Sequence, residues 1–338
     1  MTRARRIPME SMMLKFTRST LLACLMGLSP LVHAQAPAAN FPTKPIRVIV
    51  PFAPGGNVDV TARVVSTAMS RVLGQSVVVE NRTGAGGKIG AEIAMKSPAD
   101  GYTLMMGSNS SLSVAPSLYK DWPYDPHTGI APVSFLAAVP FVLVTHPGLG
   151  ANTVADLIEL ARKKPGALTM ASAGNGTSNH LVGELFQALT GTQLLHVPYK
   201  GAGPALQDVV AGRVDVLFDQ VSSSSGFIEQ GRVRALAVSS AERWKSLASV
   251  PTFAASGLNG FVITNFTGLV APAGTPNDVV GILQRAAVQA LQDEAVRKSF
   301  ATMGVEAVGS SPQDFARLIR DDLNRWAQVV RDKGIRLD

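Results

Sequence analysis

The sequence predicts an α/β fold built mainly from parallel strands, on three observations. Short runs rich in β-branched residues alternate with helical stretches between residues 46 and 239. Two of the first runs each end in a glycine-rich loop that opens a helix. The last roughly seventy residues are instead helical, with Thr275-Pro276 and Ser310-Ser311-Pro312 as helix start signals.

The first strand-loop-helix unit begins at Ile46. An apolar run over 46–52 leads into the loop 53–57, which contains Gly55 and Gly56, and an amphipathic helix follows over 58–73 and stops at Gly74. Glycine lets the backbone approach a ligand closely, and the free N–H groups and dipole of a helix N-terminus favour an anion there. The unit therefore predicts a binding site for a carboxylate or a phosphate.

A second unit of the same kind follows directly. Residues 77–80 form a strand, 81–87 form a loop with three glycines, and a helix starts at Lys88. Two adjacent strands built this way would direct two helix N-termini into one crevice, where open α/β sheets usually bind their ligands. The pair of loops therefore predicts an anion-binding cradle.

The rest of the chain continues the alternation. Strands are predicted at 102–106, 141–145, 168–172, 194–197, 214–219 and 233–239, and helices at 153–164, 177–190, 205–211, 277–303 and 312–333. Two further apolar runs, 133–139 and 261–270, lack glycine loops and bracket the middle of the chain. We interpret them as the two crossings of a hinge, which predicts domain 1 at 37–139 plus 263–338 and domain 2 at 140–262.

The N-terminus predicts a secretory signal peptide over residues 1–34. Basic residues precede an uncharged run from Ser19 to Val32, and a small-x-small site ends at Ala34. Cleavage there would remove Cys24, the chain's single cysteine, so disulfide chemistry is not expected in the mature protein. A lipidated Cys24 and a start at Met13 are the alternatives. The net charge of +7 would fall to about +3, because the leader carries five basic residues and one acidic residue. A charge of this size does not indicate a nucleic-acid-binding surface.

The motifs around these loops resemble one family along almost the whole mature chain. They are Val50-Pro51-Phe52-Ala53-Pro54-Gly55-Gly56, the run from Glu80 to Gly90, Ala171 to His180, His196 to Gly201, Phe218-Asp219 and Gly268 to Pro276. In this order they resemble the periplasmic solute-binding proteins of tripartite tricarboxylate transporters, the Bug or TctC-like family. The resemblance implies a two-lobed type II periplasmic binding-protein fold, a Venus flytrap whose lobes each hold a mainly parallel sheet flanked by helices.

The resemblance also implies a function. Such a protein captures a small carboxylate between its lobes, whether a dicarboxylate, a tricarboxylate or an aromatic carboxylate, and delivers it to a two-subunit inner-membrane permease. No cofactor, no metal and no catalytic residue are expected, and nucleic acid is not an expected partner. A sensor kinase that docks the loaded protein is an alternative partner. In the family, loops and ordered water hold the carboxylate.

The expected ligand-binding residues lie on the loops at the carboxyl ends of the strands, with two aromatic side chains that could flank a flat ligand. They are Phe52, Ala53, Gly55, Gly56, Asn57, Asp59, Gly86, Gly87, Ser108, Asn109, Ser172, Ala173, Asn175, Thr177, Ser178, Gly201, Ala202, Asp219 and Phe266.

Several of these residues also have a structural interpretation. Asp59 lies in the first turn of a helix, where a carboxylate is stabilised by the dipole without any ligand. Asn57 is a good N-cap. Arg82 could attract an anion, but Glu80 is an adjacent partner for an ion pair. His180 lies one turn into a helix, which is typical of a structural residue.

Enzymatic patterns are incomplete. Gly176-Thr177-Ser178-Asn179-His180 has His where a nucleophile elbow needs Gly. His180, Glu184 and His196 lack a recognised metal-ligand spacing. The loop before Gly90 has Ile89 where both the dinucleotide fingerprint and the Walker A motif need another residue. A periplasmic hydrolase is therefore the less favoured alternative.

Overall fold

The computed structural model describes residues 40–333, so the predicted signal peptide lies outside the described residues. The strands are β1 (Ile46–Val50), β2 (Val77–Asn81), β3 (Thr103–Ser108), β4 (Ile130–Thr145), β5 (Thr169–Ser172), β6 (Leu195–Pro198), β7 (Val216–Gln220), β8 (Arg234–Val238), β9 (Thr264–Pro272) and β10 (Glu306–Ala307). The helices are α1 (Asn57–Leu73), α2 (Lys88–Met95), α3 (Ala115–Leu118), α4 (Val154–Lys163), α5 (Ser178–Thr190), α6 (Ala202–Val210), α7 (Val221–Glu229), α8 (Asn277–Ala290), α9 (Glu294–Met303) and α10 (Pro312–Lys333).

The long strand β4 organises the fold. The strand order is β2-β1-β3-β9-β4-β7-β5-β6, with β8 and β10 also paired to β4. Pro140 of β4 pairs with Thr264 of β9, whereas the next residue, Phe141, pairs with Gln220 of β7. One strand therefore serves two sheets, and its partner changes between these two residues.

We call the part built on β1, β2, β3 and β9 lobe 1, and the part built on β5 to β8 lobe 2. In lobe 1, β2, β1 and β3 are parallel and β9 is antiparallel to β3. In lobe 2, β7, β5 and β6 are parallel, and β4 runs antiparallel to β7 and β8. The predicted α/β class with two lobes is confirmed, whereas the domain boundaries 37–139, 140–262 and 263–338 stay a prediction.

The first predicted unit shows why these residues fold as they do. β1 is rich in β-branched residues and is buried except for Arg47, and it continues into the loop before α1. α1 buries Val58, Ala62 and Val65 along one face, which is the spacing of an amphipathic helix. It ends at Gly74, whose φ of 65° is the left-handed conformation of a glycine C-cap.

Several elements differ from the sequence-based prediction; for example, the runs at 133–139 and 141–145 are one strand, β4. The single helix predicted at 277–303 is two helices, because the Asp293 carboxylate caps a new helix by accepting from the N–H groups of Ala295 and Val296. α6 begins at Ala202 rather than at 205. The serine-rich segment after Gln220 forms α7, which was not predicted because serine favours caps and turns over helix interiors.

Each lobe has its own apolar core, and α10 contacts both. In lobe 1, Phe266 and Phe315 pack in one buried cluster. The side chain of Trp326, on the second half of α10, packs instead with Phe141 and Phe218 in a lobe 2 cluster. Within residues 40–333, no helix is long and apolar enough to cross a membrane.

Candidate functional site

The two lobes meet where α1 and α6 begin. The Ala53 N–H donates to the Lys200 carbonyl across the cleft at 3.0 Å. A Cβ at Gly56 would lie 3.3 Å from the Cβ of Ala202, and a Cβ at Gly203 would overlap the carbonyl oxygen of Pro54. The lobes therefore make direct backbone contact, and the glycines are what permit it.

A small cavity lies between the lobes at this junction. It leaves about 20 Å³ for the centres of water molecules, which is room for one or two waters. The sequence predicted eight of its lining residues: Phe52, Ala53, Gly56, Asn57, Asp59, Ser108, Ala173 and Ala202. Four further lining residues were not predicted: Val58, Ser110, Asn179 and Gln220.

Signals for the four missed residues were weak. Val58 and Gln220 are each adjacent in the sequence to a residue that was predicted, but neither side chain is of a type that indicates ligand binding. Ser110 belongs to a serine run with ordinary loop composition. Asn179 lies in the first turn of α5, where its side chain donates to the Phe218 carbonyl at 2.7 Å.

Asp59 holds the first loop of lobe 1 in place. One carboxylate oxygen accepts from the Gly55 N–H at 3.0 Å and from the Arg63 guanidinium at 3.1 Å. The other accepts from the Asn81 side-chain amide at 2.9 Å. The carboxylate is 3% exposed. These contacts match the structural interpretation of Asp59. Gly55 itself is exposed and does not line the cavity.

Asn57 joins three elements by its side-chain amide. Its Nδ2 donates to the Thr267 hydroxyl in β9 at 2.9 Å, and its Oδ1 accepts from the Ser222 hydroxyl in α7 at 2.7 Å. Ser222 belongs to lobe 2, so Asn57 lines the cavity and also connects the lobes.

The second glycine loop lies at the rim of the cleft. A Cβ at Gly86 would overlap the Asn175 carbonyl of lobe 2, and Gly87 faces the Phe52 ring with a φ of 98°. Glycine is required at both positions because they combine positive φ with close contact. Neither residue lines the cavity described above.

Charged side chains around the second loop pair with each other. Glu80 accepts from Arg47 at 2.7 Å and also pairs with Arg82, as the structural interpretation of Arg82 expected. Hydrogen bonding from Arg47 lowers the pKa of Glu80. Lys88 pairs with Asp121. These cations are therefore engaged by carboxylates.

The loop of lobe 2 before α5 is held by uncharged groups. Ser172 Oγ accepts from the Gly174 N–H at 3.0 Å and contacts His196 Nε2 at 2.6 Å. The Thr177 hydroxyl donates to the Gly174 carbonyl at 2.7 Å. The predicted ligand groups of Ser172 and Thr177 are therefore used within the loop itself.

Two stacked imidazoles support the back of this loop. The rings of His180 and His196 lie 3.8 Å apart and are inclined by 5°. His180 Nδ1 accepts from the Gly176 N–H at 3.2 Å. Burial, with a smaller contribution from the neighbouring His180, lowers the pKa of His196 to about 4. Asn175 borders a separate outer cavity with these histidines and Glu184.

Asp219 lies at the end of β7, beside the cavity-lining Gln220. Its Oδ2 accepts from the hydroxyls of Ser223 and Ser224, each at 2.6 Å. The side chain is fully buried, and burial raises the pKa of this carboxyl to about 6. The carboxylate supports the first turn of α7 and does not line the cavity.

Four other predicted residues do not line the cavity. Phe266 packs 6.0 Å from the Phe315 ring in the lobe 1 core, so it does not flank the cleft. Asn109 is fully buried beside Ser108. Gly201 faces the backbone of Ala53. Ser178 contacts Ser110 of the opposite lobe.

Among the described residues that line the cavity, none is a lysine or an arginine that could bind the charge of an anionic ligand. Asp59 is the one charged side chain among those that line it, and Arg63 already pairs with that carboxylate at 2.9 Å. What remains are the first-turn N–H groups of α1 and α6, which have no acceptor within their helices, and hydroxyl and amide side chains. Such donors bind anions.

The sequence relationship agrees with this geometry. Residues 61–335 match the family model described as the tripartite tricarboxylate transporter family receptor. The chain belongs to this receptor family. The resemblance predicted from the loop motifs is therefore confirmed.

Solved structures are similar to this receptor over its length. The periplasmic binding protein BugD is 33% identical, with a TM-score of 0.85, and covers 88% of this chain and 99% of its own. A protein of R. palustris solved with adipate is 36% identical, with a TM-score of 0.84, and covers 88% and 99%. MatC of Rhodopseudomonas palustris with bound malate is 32% identical, with a TM-score of 0.83, and covers 86% and 100%.

These similarities confirm the two-lobed periplasmic binding-protein fold of the receptor. They also identify it as a periplasmic solute-binding protein, because both the family and the similar structures are of that class. The predicted signal peptide at 1–34 is outside the described residues and stays a prediction.

Proposed function

We propose that this receptor binds a small aliphatic dicarboxylate between its lobes and delivers it to a two-subunit inner-membrane permease. One observation carries the proposal: α1 of lobe 1 and α6 of lobe 2 direct their N-termini at the same small cavity, with Gly56 and Ala202 on opposite walls. Two such termini suit a ligand with a carboxylate at each end.

The other walls favour an aliphatic ligand. Phe52, Val58 and Ala173 supply apolar surface, while Ser108 supplies a hydroxyl. The cavity has room for only one or two waters, so the lobes must separate to admit an aliphatic dicarboxylate, a tricarboxylate or an aromatic dicarboxylate, and the volume does not discriminate among them. The bound adipate and malate of the two similar proteins are dicarboxylates of different length, and they support this class for the present chain.

Thermal shift and calorimetry would test the ligand class. The purified protein would be screened against malate, adipate, citrate, terephthalate and neutral sugars, since a ligand that binds the folded state raises the melting temperature. We expect shifts with malate or adipate. Ser108→Ala should weaken binding by about tenfold, the effect of one lost hydrogen bond. Ser97→Ala is the matched control, because Ser97 is half-buried, lies outside the cavity and donates its hydroxyl to the Ile93 carbonyl. A response to sugars alone would contradict the proposal.

Delivery is a separate part of the proposal. Uptake of labelled malate by cells that carry the permease should require this receptor and should disappear when the receptor is absent. The alternative partner, a sensor kinase, would instead be captured from membrane fractions in the presence of ligand without any effect on uptake.

The hydrolase alternative rests on one contact, that between Ser172 Oγ and His196 Nε2 at 2.6 Å. A nucleophile and a base are arranged in this way in hydrolases. However, Ser172 is fully buried, and its hydroxyl also accepts from the Gly174 N–H. Turnover of a carboxylate ester that disappears in Ser172→Ala or Ser178→Ala would favour the hydrolase over the receptor.

A further inference from the structure

The N-terminus of α5 in lobe 2 is capped by a residue of lobe 1. The expected cap, Thr177, does not serve, because its hydroxyl donates to the Gly174 carbonyl. Instead the Ser178 N–H donates to Ser110 Oγ at 3.0 Å, and the two serine hydroxyls lie 2.6 Å apart. An N-cap hydroxyl normally comes from the same chain segment as its helix.

The geometry of the turn after β3 explains why Ser110 reaches across. Residues Ser110–Val114 form a π-helical turn that leads into α3. The other two serines of this turn bond on their own side of the cleft: Ser111 with Ser108, and Ser113 with Asn109 and Asp322. Among the hydrogen bonds of these three hydroxyls, only that of Ser110 reaches the other lobe.

Burial makes this contact significant. Ser110 is 4% exposed and Ser178 is fully buried, so neither hydroxyl has water as a ready partner in the closed arrangement. When the lobes separate, water can satisfy the Ser178 N–H. Removal of the Ser110 hydroxyl would therefore raise the free energy of the closed form, where the N–H would be left unpaired, and not that of the open form.

We propose that Ser110 is a positioning residue that latches the lobes by capping α5 from across the cleft. This inference rests on the proposed function, since Ser110 also lines the cavity. A ligand held between the lobes leaves only when they open, so the latch controls the rate of release. Its role differs from that of a ligand contact because its partner is the protein itself.

Stopped-flow kinetics with malate and adipate would test the latch. We expect Ser110→Ala to raise the dissociation rate by about ten- to a hundredfold, the effect of a buried unpaired donor, with little change in the association rate. The melting temperature of the ligand-free protein should fall less than that of the ligand-loaded protein, and Ser110→Thr should restore slow release. Ser111→Ala is the control. An unchanged dissociation rate, or a loss of affinity that only follows a loss of stability, would overturn the proposal.

A cross-link tests the latch without any ligand. In a Cys24→Ser background, which removes the chain's single cysteine, we expect Ser110→Cys/Ser178→Cys to form an intramolecular disulfide on oxidation, because the two oxygens are 2.6 Å apart. Ser111→Cys/Ser178→Cys should not. If neither dicarboxylate binds but the first pair alone cross-links, the latch stands and the proposed ligand class fails. If the first pair does not cross-link, the latch is wrong.

Discussion

The two walls of the cleft are stabilised by different chemistry. In lobe 1, the loops before α1 and α2 are held by carboxylates: Asp59 binds Gly55 and Arg63, and Glu80 binds Arg47 and Arg82. In lobe 2, the loop before α5 is held by hydroxyls and two stacked imidazoles. Both walls present backbone N–H groups, but carboxylates hold the loops of one wall, whereas hydroxyls and imidazoles hold the loop of the other.

This difference has a consequence for how the walls respond to conditions. Hydrogen bonding from Arg47 lowers the pKa of the Glu80 carboxyl, and the exposed ion pairs of Glu80 are screened by salt. The lobe 2 imidazoles accept hydrogen bonds only while they are unprotonated. We therefore expect added salt to weaken the ion pairs of lobe 1, and mild acid to weaken the imidazole hydrogen bonds of lobe 2.

The largest effect on ligand affinity should come from a substitution that forces the two walls of the cleft apart. Gly203→Ala adds a methyl group that overlaps the Pro54 carbonyl, while α6 itself tolerates alanine. Overpacking of this kind costs about 1–3 kcal/mol, so affinity for a dicarboxylate should fall about five- to 150-fold. Isothermal titration calorimetry would measure it.

Gly226→Ala is the matched control for that change. Gly226 also lies in a helix, but a Cβ there would meet nothing within 4 Å. Its affinity should equal that of the wild type. Equal affinity in Gly203→Ala would show that the lobes bind ligand without approaching as closely as they do in this structure.

In lobe 1, Asp59→Ala should destabilise the fold. The change removes the acceptor of the Gly55 N–H, one of the two acceptors of the Asn81 side-chain amide and the partner of Arg63, which we expect to cost about 2–3 kcal/mol in urea unfolding. Glu92→Ala, which breaks only the exposed pair with Lys96, should change the midpoint little. A variant of Asp59 that keeps its stability and loses only ligand binding would instead assign the carboxylate a direct ligand role.

In lobe 2, His196→Gln should make the folding stability of the protein less sensitive to acid. The pKa of His196 is about 4 in the folded protein and about 6.5 in the unfolded chain. Between pH 6.5 and pH 4 the unfolded chain therefore binds a proton at this residue and the folded protein does not. Stability is therefore lost as pH falls from 6.5 to 4. Because the ring is partly exposed, we expect about 1–2 kcal/mol of this loss to disappear in the variant.

Asp219 changes the folding stability in the opposite direction over the same pH range. Its pKa is raised to about 6, so the folded protein binds a proton there and gains stability as pH falls. The contribution of Asp219 is common to wild type and variant, and it cancels in their difference at each pH. If that difference does not change between pH 7 and pH 4, the imidazole is not the acid-sensitive group.

The smallest effect should be that of Glu80→Gln in lobe 1. Surface ion pairs contribute less than about 1 kcal/mol, and about 1 M salt should abolish the difference from wild type. Urea unfolding at low and high salt would measure this. A salt-independent loss would mean that Glu80 acts through packing and not through charge.

The local pattern of the chain was sufficient for the fold class and for the glycine loops that lie at the cleft. The β-branched runs and the loop glycines follow from residue properties that act over a few positions, and eight of the predicted residues line one cavity. The pattern was not sufficient for α7, because serine has no strong helix preference and the supporting carboxylate of Asp219 is buried by the fold.

Roles that depend on distant partners also escaped the sequence. Phe266 was expected beside the ligand, but Phe315, some fifty positions along the chain, packs against it in the core. Ser110 looked like ordinary loop composition, because its partner Ser178 lies in the other lobe. Neither partner can be identified from spacing along the chain.

The sequence by itself therefore determined that this protein has strands that end in glycine loops, helix N-termini suited to anions, and the motifs of a transport receptor family. These are local properties, set by which backbone angles and which helix caps each residue permits. Only the tertiary structure decided which N–H groups face the cleft, which are capped by a neighbouring side chain, and which carboxylate supports a loop. Those outcomes depend on which distant atoms come within hydrogen-bond range once both lobes are folded against each other.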